Sequence, residues 1–177
     1  MPYSVNIRSE DDSAAKIRFL WDRFSLLETE PSMAVLKYPP HFTLAVYDEI
    51  SRDELVRGFN AAIGELPRLA VTFDSFGYFE TSHSIVLWAK PRLPSAYFEF
   101  HDRFHSLVNV NDCRPNYLPG IWVPHCTLAT AIPLDRRGEV VELTKQGIDP
   151  FEVKFDMADC VSFRPVEVIH EKELSKV

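Results

Sequence analysis

Two residue types at a fixed spacing stand out in this chain as able to do chemistry: a histidine followed two positions later by a threonine, and the arrangement occurs twice. Pro40-His41-Phe42-Thr43-Leu44-Ala45 returns as Pro124-His125-Cys126-Thr127-Leu128-Ala129, identical at five of six positions and apolar at the sixth. Side chains alternate along an extended segment, so His41 shares a face with Thr43 and His125 with Thr127. Phe42, Leu44 and Val46 fall on the opposite face, as do Cys126 and Leu128. Imidazole titrates near neutral pH and both gives and takes protons. A hydroxyl orients the non-bridging oxygens of a phosphoryl group. Two such pairs facing each other suit an in-line displacement at phosphorus, one imidazole acting as base and the other as acid. Hydroxyls are poor zinc ligands, and no Cys, Asp or Glu recurs beside the histidines, so the pairs predict no metal. Either motif alone is more simply a hydrogen-bonded structural histidine. A structural role gives no reason for the same pair to recur.

The elements that must position these pairs also repeat. Tyr3 to Arg8 alternates as a strand, and Asp11 to about Glu28 carries Ile17, Leu20, Trp21, Phe24 and Leu27 at helical spacing. The first motif predicts a strand from His41 to Tyr47. Ser51-Arg52-Asp53-Glu54 reads as a capping box opening a second helix, and Leu69 to about Phe79 as a strand closing the first half. The second half predicts a strand over Ser84 to Ala89, a helix from about Pro94 to Asn109, and the second motif strand. A helix from Pro133 to Lys145 follows, with Gly147 placed to end it. Phe151 to Met157 alternates as a strand, and a last strand runs from Cys160 to Ile169, with Pro165 at a bulge or edge. The expectation is an α+β fold, a single bilobal domain over 1–177. Its first half spans about 1–80 and its second about 81–177, each a mainly antiparallel sheet with outer helices around a central cleft.

The paired motifs, with Trp122-Val123-Pro124 leading into the second, resemble the two-histidine (2H) phosphoesterase superfamily, which includes the 2'-5' RNA ligase-like proteins and the cyclic nucleotide phosphodiesterases. The resemblance covers nearly the whole chain. It implies that His41 and His125 are the catalytic acid–base pair and that Thr43 and Thr127 bind the substrate phosphate. It further implies opening of a cyclic phosphate on a nucleotide, an RNA end or a related sugar phosphate, with no metal and no cofactor. Two alternatives stay open: a 2'-5' RNA ligase or nuclease using the same residues, and a nucleotide-binding module without turnover.

The 177 residues carry 26 acidic against 19 basic side chains, a net charge of -7, which weighs against an extended nucleic-acid surface but allows a small nucleotide or RNA end. Hydrophobic residues at 46% suit a folded core, and no apolar run is long enough for a membrane span. The first residues lack the basic flank and apolar stretch of a signal peptide. Cys113, Cys126 and Cys160 form no paired framework, which points to a reducing, cytoplasmic setting. His101 and His105 have the spacing of a zinc-protease helix, but Asp102 replaces the usual Glu and no third ligand follows. They are expected at the surface or border of a helix whose buried stripe is Phe100, Phe104 and Leu107. His83 is expected in a solvated turn, His170 after the last strand, and Cys126 as a small inward-facing hydrophobe. Lys37, Arg68, Arg92 and Arg114 are candidate sources of local positive charge. Tyr38, Phe76, Tyr78, Phe79 and Trp122 are the aromatics near the motifs, none singled out for stacking.

Overall fold

The structure is a computed structural model that describes residues 1–64, 66–163 and 165–176. Among the described residues, eight strands and four α-helices follow one another as β1 (Tyr3–Arg8), α1 (Ala15–Ser25), β2 (His41–Tyr47), α2 (Arg52–Ile63), β3 (Leu69–Glu80), β4 (Ile85–Arg92), α3 (Ser95–Leu107), β5 (Cys126–Ile132), α4 (Arg137–Gln146), β6 (Phe151–Phe155), β7 (Met157–Ser162) and β8 (Glu167–Glu173). The helix ends follow from local chemistry. Asp11 accepts from the Ser13 amide at the turn that leads into α1, and Ser51 accepts from the Glu54 amide at 3.2 Å to open α2. Gly147, at φ +70, stops α4 in a conformation that side chains rarely adopt.

Two four-stranded antiparallel sheets result, with orders β2-β1-β7-β8 and β5-β4-β3-β6. They match position for position: each places its motif strand at one edge, next to the first strand of its own half. One continuous buried core runs from Val5 to Leu174, and α1 packs against β5 in the other sheet. Gly58 allows α2 to press against the end of α3, since a Cβ there would overlap Val108.

The expected division at about residue 80 does not follow the sheets. β3 does not close the first half but pairs with β4 and β6, and β7 and β8 complete the sheet begun by β1 and β2. Strand period reports which face is buried, and it is silent on which partner supplies the ladder. The last two strands also divide differently. Asp156 separates β6 from β7, and the span expected as one strand from Cys160 to Ile169 is broken between β7 and β8, with Pro165 in the connection. Among the described residues no helix is long and apolar enough to cross a membrane.

Candidate active site

β2 and β5 are edge strands, and both motifs bend them in the same way. Asn6 pairs with Thr43 and Val5 with Ala45, so Leu44 is an inserted residue without a partner. Trp88 pairs with Thr127 and Leu87 with Ala129, so Leu128 is inserted at the matching place. Each bulge resets the alternation. Val46 therefore turns onto the face of His41 and Thr43, and does not share the opposite face with Phe42 and Leu44 as alternation alone predicts. Thr130 turns likewise beside Thr127, and both Val46 and Thr130 line the cleft.

Backbone carbonyls of the motif strands are closed by side-chain donors. Trp122 Nε1 donates to the Thr43 carbonyl at 2.9 Å and Trp21 Nε1 to the Thr127 carbonyl at 2.9 Å. Each indole thus ties the opposite strand. His101 Nε2 donates to the carbonyl of the bulged Leu44 at 3.0 Å, and its ring stacks on Trp122 with centroids 4.2 Å apart.

The imidazoles are fixed by matching bonds. His41 Nδ1 lies 2.8 Å from the Pro39 carbonyl and His125 Nδ1 2.7 Å from the Val123 carbonyl. A proline follows each carbonyl residue and holds it extended, so the carbonyl two positions back faces the ring. This bond places the proton of the neutral imidazole on Nδ1 and leaves Nε2 free to exchange protons. Burial lowers the pKa of both rings, and a charge on His41 lowers that of His125 further.

The floors beside the two motifs differ. In the first sheet the row across the strands is Thr43, Asn6, Asp159, and in the second it is Thr127, Trp88, Gly77. Thr43 Oγ1 donates to Asn6 Oδ1 at 2.8 Å, and Asn6 Nδ2 donates to Asp159 Oδ1 at 3.1 Å. Asp159, fully buried, also receives Tyr38 OH at 2.7 Å and Arg8 Nε at 2.6 Å. Burial pushes the Asp159 carboxyl up, while these donors and the Arg8 charge pull it back. The Tyr38 ring meets His41 edge-on at 4.8 Å. On the other side the Trp88 ring lies over Gly77, where a Cβ would overlap it, and Phe79 meets His125 edge-on at 5.0 Å. Thr127 has no side-chain partner among the described residues.

A cleft of about 1010 Å³ is lined by His41, Thr43 and Thr127. His125 stands outside that lining, against Phe79 and Trp88, yet within electrostatic reach of His41. Residues 29–33, 35 and 36 form one wall. Of the candidate cations only Arg114 lines the cleft, and it is paired there with Asp48 at 2.6 Å. Arg68 pairs with Glu173 and Arg92 with Asp74, both away from the cleft, and Lys37 is exposed at φ +52.

His101 and His105 are not surface residues: they are 2% and 3% exposed, because the bulge carbonyl of Leu44 and the Trp122 ring draw the first of them inward. Leu107, expected in the buried stripe, is exposed, and Val108 is buried in its place. Cys126 is buried as expected, and burial pushes its thiol up to about 12. His83 is exposed and reaches the cleft lining, while His170 lies within β8, its Nε2 2.8 Å from Asn60 Oδ1. Asn6, Asp159 and Trp88 carry no role in the sequence reading. Their signal is a polar or bulky residue at the strand position facing each threonine, visible only once the pairing is known. No group of three or more potential metal ligands occurs among the described residues.

The sequence matches the 2'-5' RNA ligase superfamily over residues 10–167. No curated protein sequence matches the chain. Among solved structures, E. coli LigT complexed with 3'-AMP is 18% identical with a TM-score of 0.62, each chain covered to 99%. TT0787 of Thermus thermophilus is 16% identical with a TM-score of 0.62, each covered to 98%. Kluyveromyces marxianus Usb1 is 10% identical with a TM-score of 0.56, covering 95% of this chain and 97% of its own. At these identities the structures show a shared two-lobed fold, and the match over residues 10–167 shows the family: the chain belongs to the 2'-5' RNA ligase superfamily, the two-histidine phosphoesterases.

Proposed function

We propose that this cleft hydrolyses a cyclic phosphodiester of a nucleotide, an RNA end or a similar sugar phosphate by metal-independent acid–base catalysis between His41 and His125. The observation that carries the reading is the matched pair of imidazoles, each tied through Nδ1 to a backbone carbonyl with Nε2 free. Water attacks phosphorus as one imidazole takes its proton, and the bond to the sugar oxygen breaks as the other imidazole protonates that oxygen. Burial lowers both rings, and a charge on one disfavours a charge on the other, so one of the pair is neutral and able to act as base. Thr127, with its hydroxyl uncommitted, donates to a phosphoryl oxygen. Thr43 faces the same group from the other strand. Tyr38 is no proton donor here, because its phenol is held by Asp159 and pushed far above its ordinary value.

The net charge of -7 supports a nucleotide-sized substrate over a long RNA, whose binding needs several phosphate contacts. E. coli LigT has been solved with 3'-AMP and with ATP, which supports a nucleotide-sized ligand for this cleft too. Three free, buried cysteines agree with the proposed cytoplasmic setting.

His41→Ala and His125→Ala should each lower turnover of a 2',3'-cyclic mononucleotide by about 10²–10⁴-fold with the melting temperature nearly unchanged. Wild-type turnover in either variant overturns the reading. The pH profile should be bell-shaped, and because burial lowers both rings, both limbs should lie on the acid side of the ordinary imidazole range. Chelator should have no effect. A tRNA half turned over in preference to the mononucleotide would favour the RNA ligase or nuclease, and tight binding without product would favour the binding module.

A further inference from the structure

The two threonines of a duplicated motif are expected to act alike, but their surroundings give them opposite hydrogen-bonding characters. Asn6, 1% exposed, stands between Thr43 and Asp159 in neighbouring strands. The Asp159 carboxylate is ion-paired to Arg8 and so accepts only. The Asn6 amide must therefore turn its NH₂ toward Asp159, which leaves its Oδ1 toward Thr43. A second acceptor on Nδ2, Ser4 Oγ at 3.1 Å, fits the same orientation. The Thr43 hydroxyl has one hydrogen, and Asn6 Oδ1 takes it at 2.8 Å. Turning that hydrogen to a ligand would strand a buried carbonyl oxygen without a donor. What Thr43 presents to the cleft is its lone pairs. At the matching position in the second sheet stands Trp88, whose indole offers no acceptor, and Thr127 keeps its hydrogen free.

We propose that Asn6 is a positioning residue that turns Thr43 into a hydrogen-bond acceptor, so that Thr127 alone donates to the phosphoryl group and Thr43 receives the hydrogen of the sugar hydroxyl that ring opening releases. The inference rests on the phosphodiesterase reading and gives the pseudo-symmetric cleft a direction. The phosphoryl oxygens lie toward β5, and the sugar oxygen that becomes a hydroxyl on ring opening lies toward β2. Ribose-type products are thereby distinguished from deoxyribose ones at a residue the family's motif treats as a phosphate ligand.

Binding of inorganic phosphate and of 3'-AMP, measured by calorimetry on the full chain, tests this without relying on turnover. Thr127→Val should lose about tenfold or more in phosphate affinity, the worth of one hydrogen bond to a charged group, while Thr43→Val changes it less than about threefold. Asn6→Ala, which frees the Thr43 hydrogen, should bind phosphate more tightly while its kcat falls, a gain that a merely structural defect does not produce. Wild type should prefer 3'-AMP over its 2'-deoxy counterpart severalfold, and Thr43→Val should abolish the preference. Equal losses of phosphate affinity in the two valine variants overturn the proposal, as does a sugar preference untouched by Thr43→Val. So does weaker phosphate binding by a folded Asn6→Ala. Should Asn6→Ala not fold, the valine variants decide alone, since neither removes a member of the Arg8–Asp159 pair. A wild type that binds no phosphate at all overturns the phosphodiesterase reading and this inference together, a result distinct from equal losses.

Discussion

His101 joins parts of the chain that are far apart in sequence. Its Nε2 donates to the carbonyl that the bulge at Leu44 leaves open, and its ring stacks on Trp122, whose own N–H holds the Thr43 carbonyl. The ring does this while neutral, and burial together with His105 lowers its pKa to about 4. His105 is lowered as well, by burial, and its Nδ1 has no partner among the described residues. In the unfolded chain both titrate near 6.5, so on acidification the unfolded state takes up protons that the folded state refuses. Stability is complete above pH 6.5 and falls as the pH drops from there toward 4, by up to about 1.4 kcal/mol per pH unit for each such proton. His101→Gln keeps a donor for Leu44 without a titratable ring. Its denaturation midpoint at pH 7 should fall by the loss of stacking, about 1 kcal/mol. Its decline between pH 6.5 and 4 should be shallower than that of wild type but not abolished, since His41, His105 and His125 remain. Parallel curves would remove His101 from the account. Sequence placed this residue at a helix border, because a histidine next to a buried stripe gives no sign that a carbonyl will come to meet it.

Between α1 and β2 the chain forms a cleft wall that one carboxylate fastens to the edge of β5. Glu28 Oε1 accepts from the Thr130 amide at 2.7 Å and the Ala131 amide at 2.9 Å, and Oε2 from the Ser32 amide at 2.9 Å. Ser32 Oγ takes a share of the Thr130 amide at 3.0 Å. Amides at the second bulge strand, which an edge would leave to water, are thus the anchor of the wall. Glu28→Ala should cost about 1–3 kcal/mol and speed hydrogen exchange at Thr130 and Ala131. His41 and His125 rest on other bonds, so on the proposed function KM should rise more than kcat falls. Unchanged exchange at those two amides would show that Glu28 does not hold the wall. The motif strands themselves were legible, since histidine and threonine two apart show both a reactive pair of side chains and the strand period. The bulges were not. An inserted leucine looks like any strand leucine, and only pairing shows that Leu44 and Leu128 are skipped and that Val46 and Thr130 turn toward the cleft.

At the scale of the molecule, the duplicated order of elements was legible in the sequence, while the exchange of strands between the halves was not. β1 lies between β2 from its own half and β7 from near the C-terminus, and the buried pair Arg8–Asp159 sits across that second boundary. β3, read as the end of the first half, has both ladder partners beyond residue 80. A chain cut at residue 80 therefore leaves the first fragment with β1 and β2 as a two-stranded sheet, its Arg8 without Asp159, and β3 without neighbours. Isolated two-strand units are marginal in water, and a buried charge that loses its partner is costly. The second fragment keeps β4 paired with β5 but loses the strand between β4 and β6. Fragments 1–80 and 81–177 should each lack a cooperative thermal transition when made alone, by circular dichroism. Mixed or coexpressed, they should regain it together with phosphate binding, because every broken ladder is then available in the partner fragment. A cooperative transition in fragment 1–80 alone would mean that the halves fold as independent units. The cleft would then be an interface between two independently folding units, against the expectation drawn from the interleaved sheets.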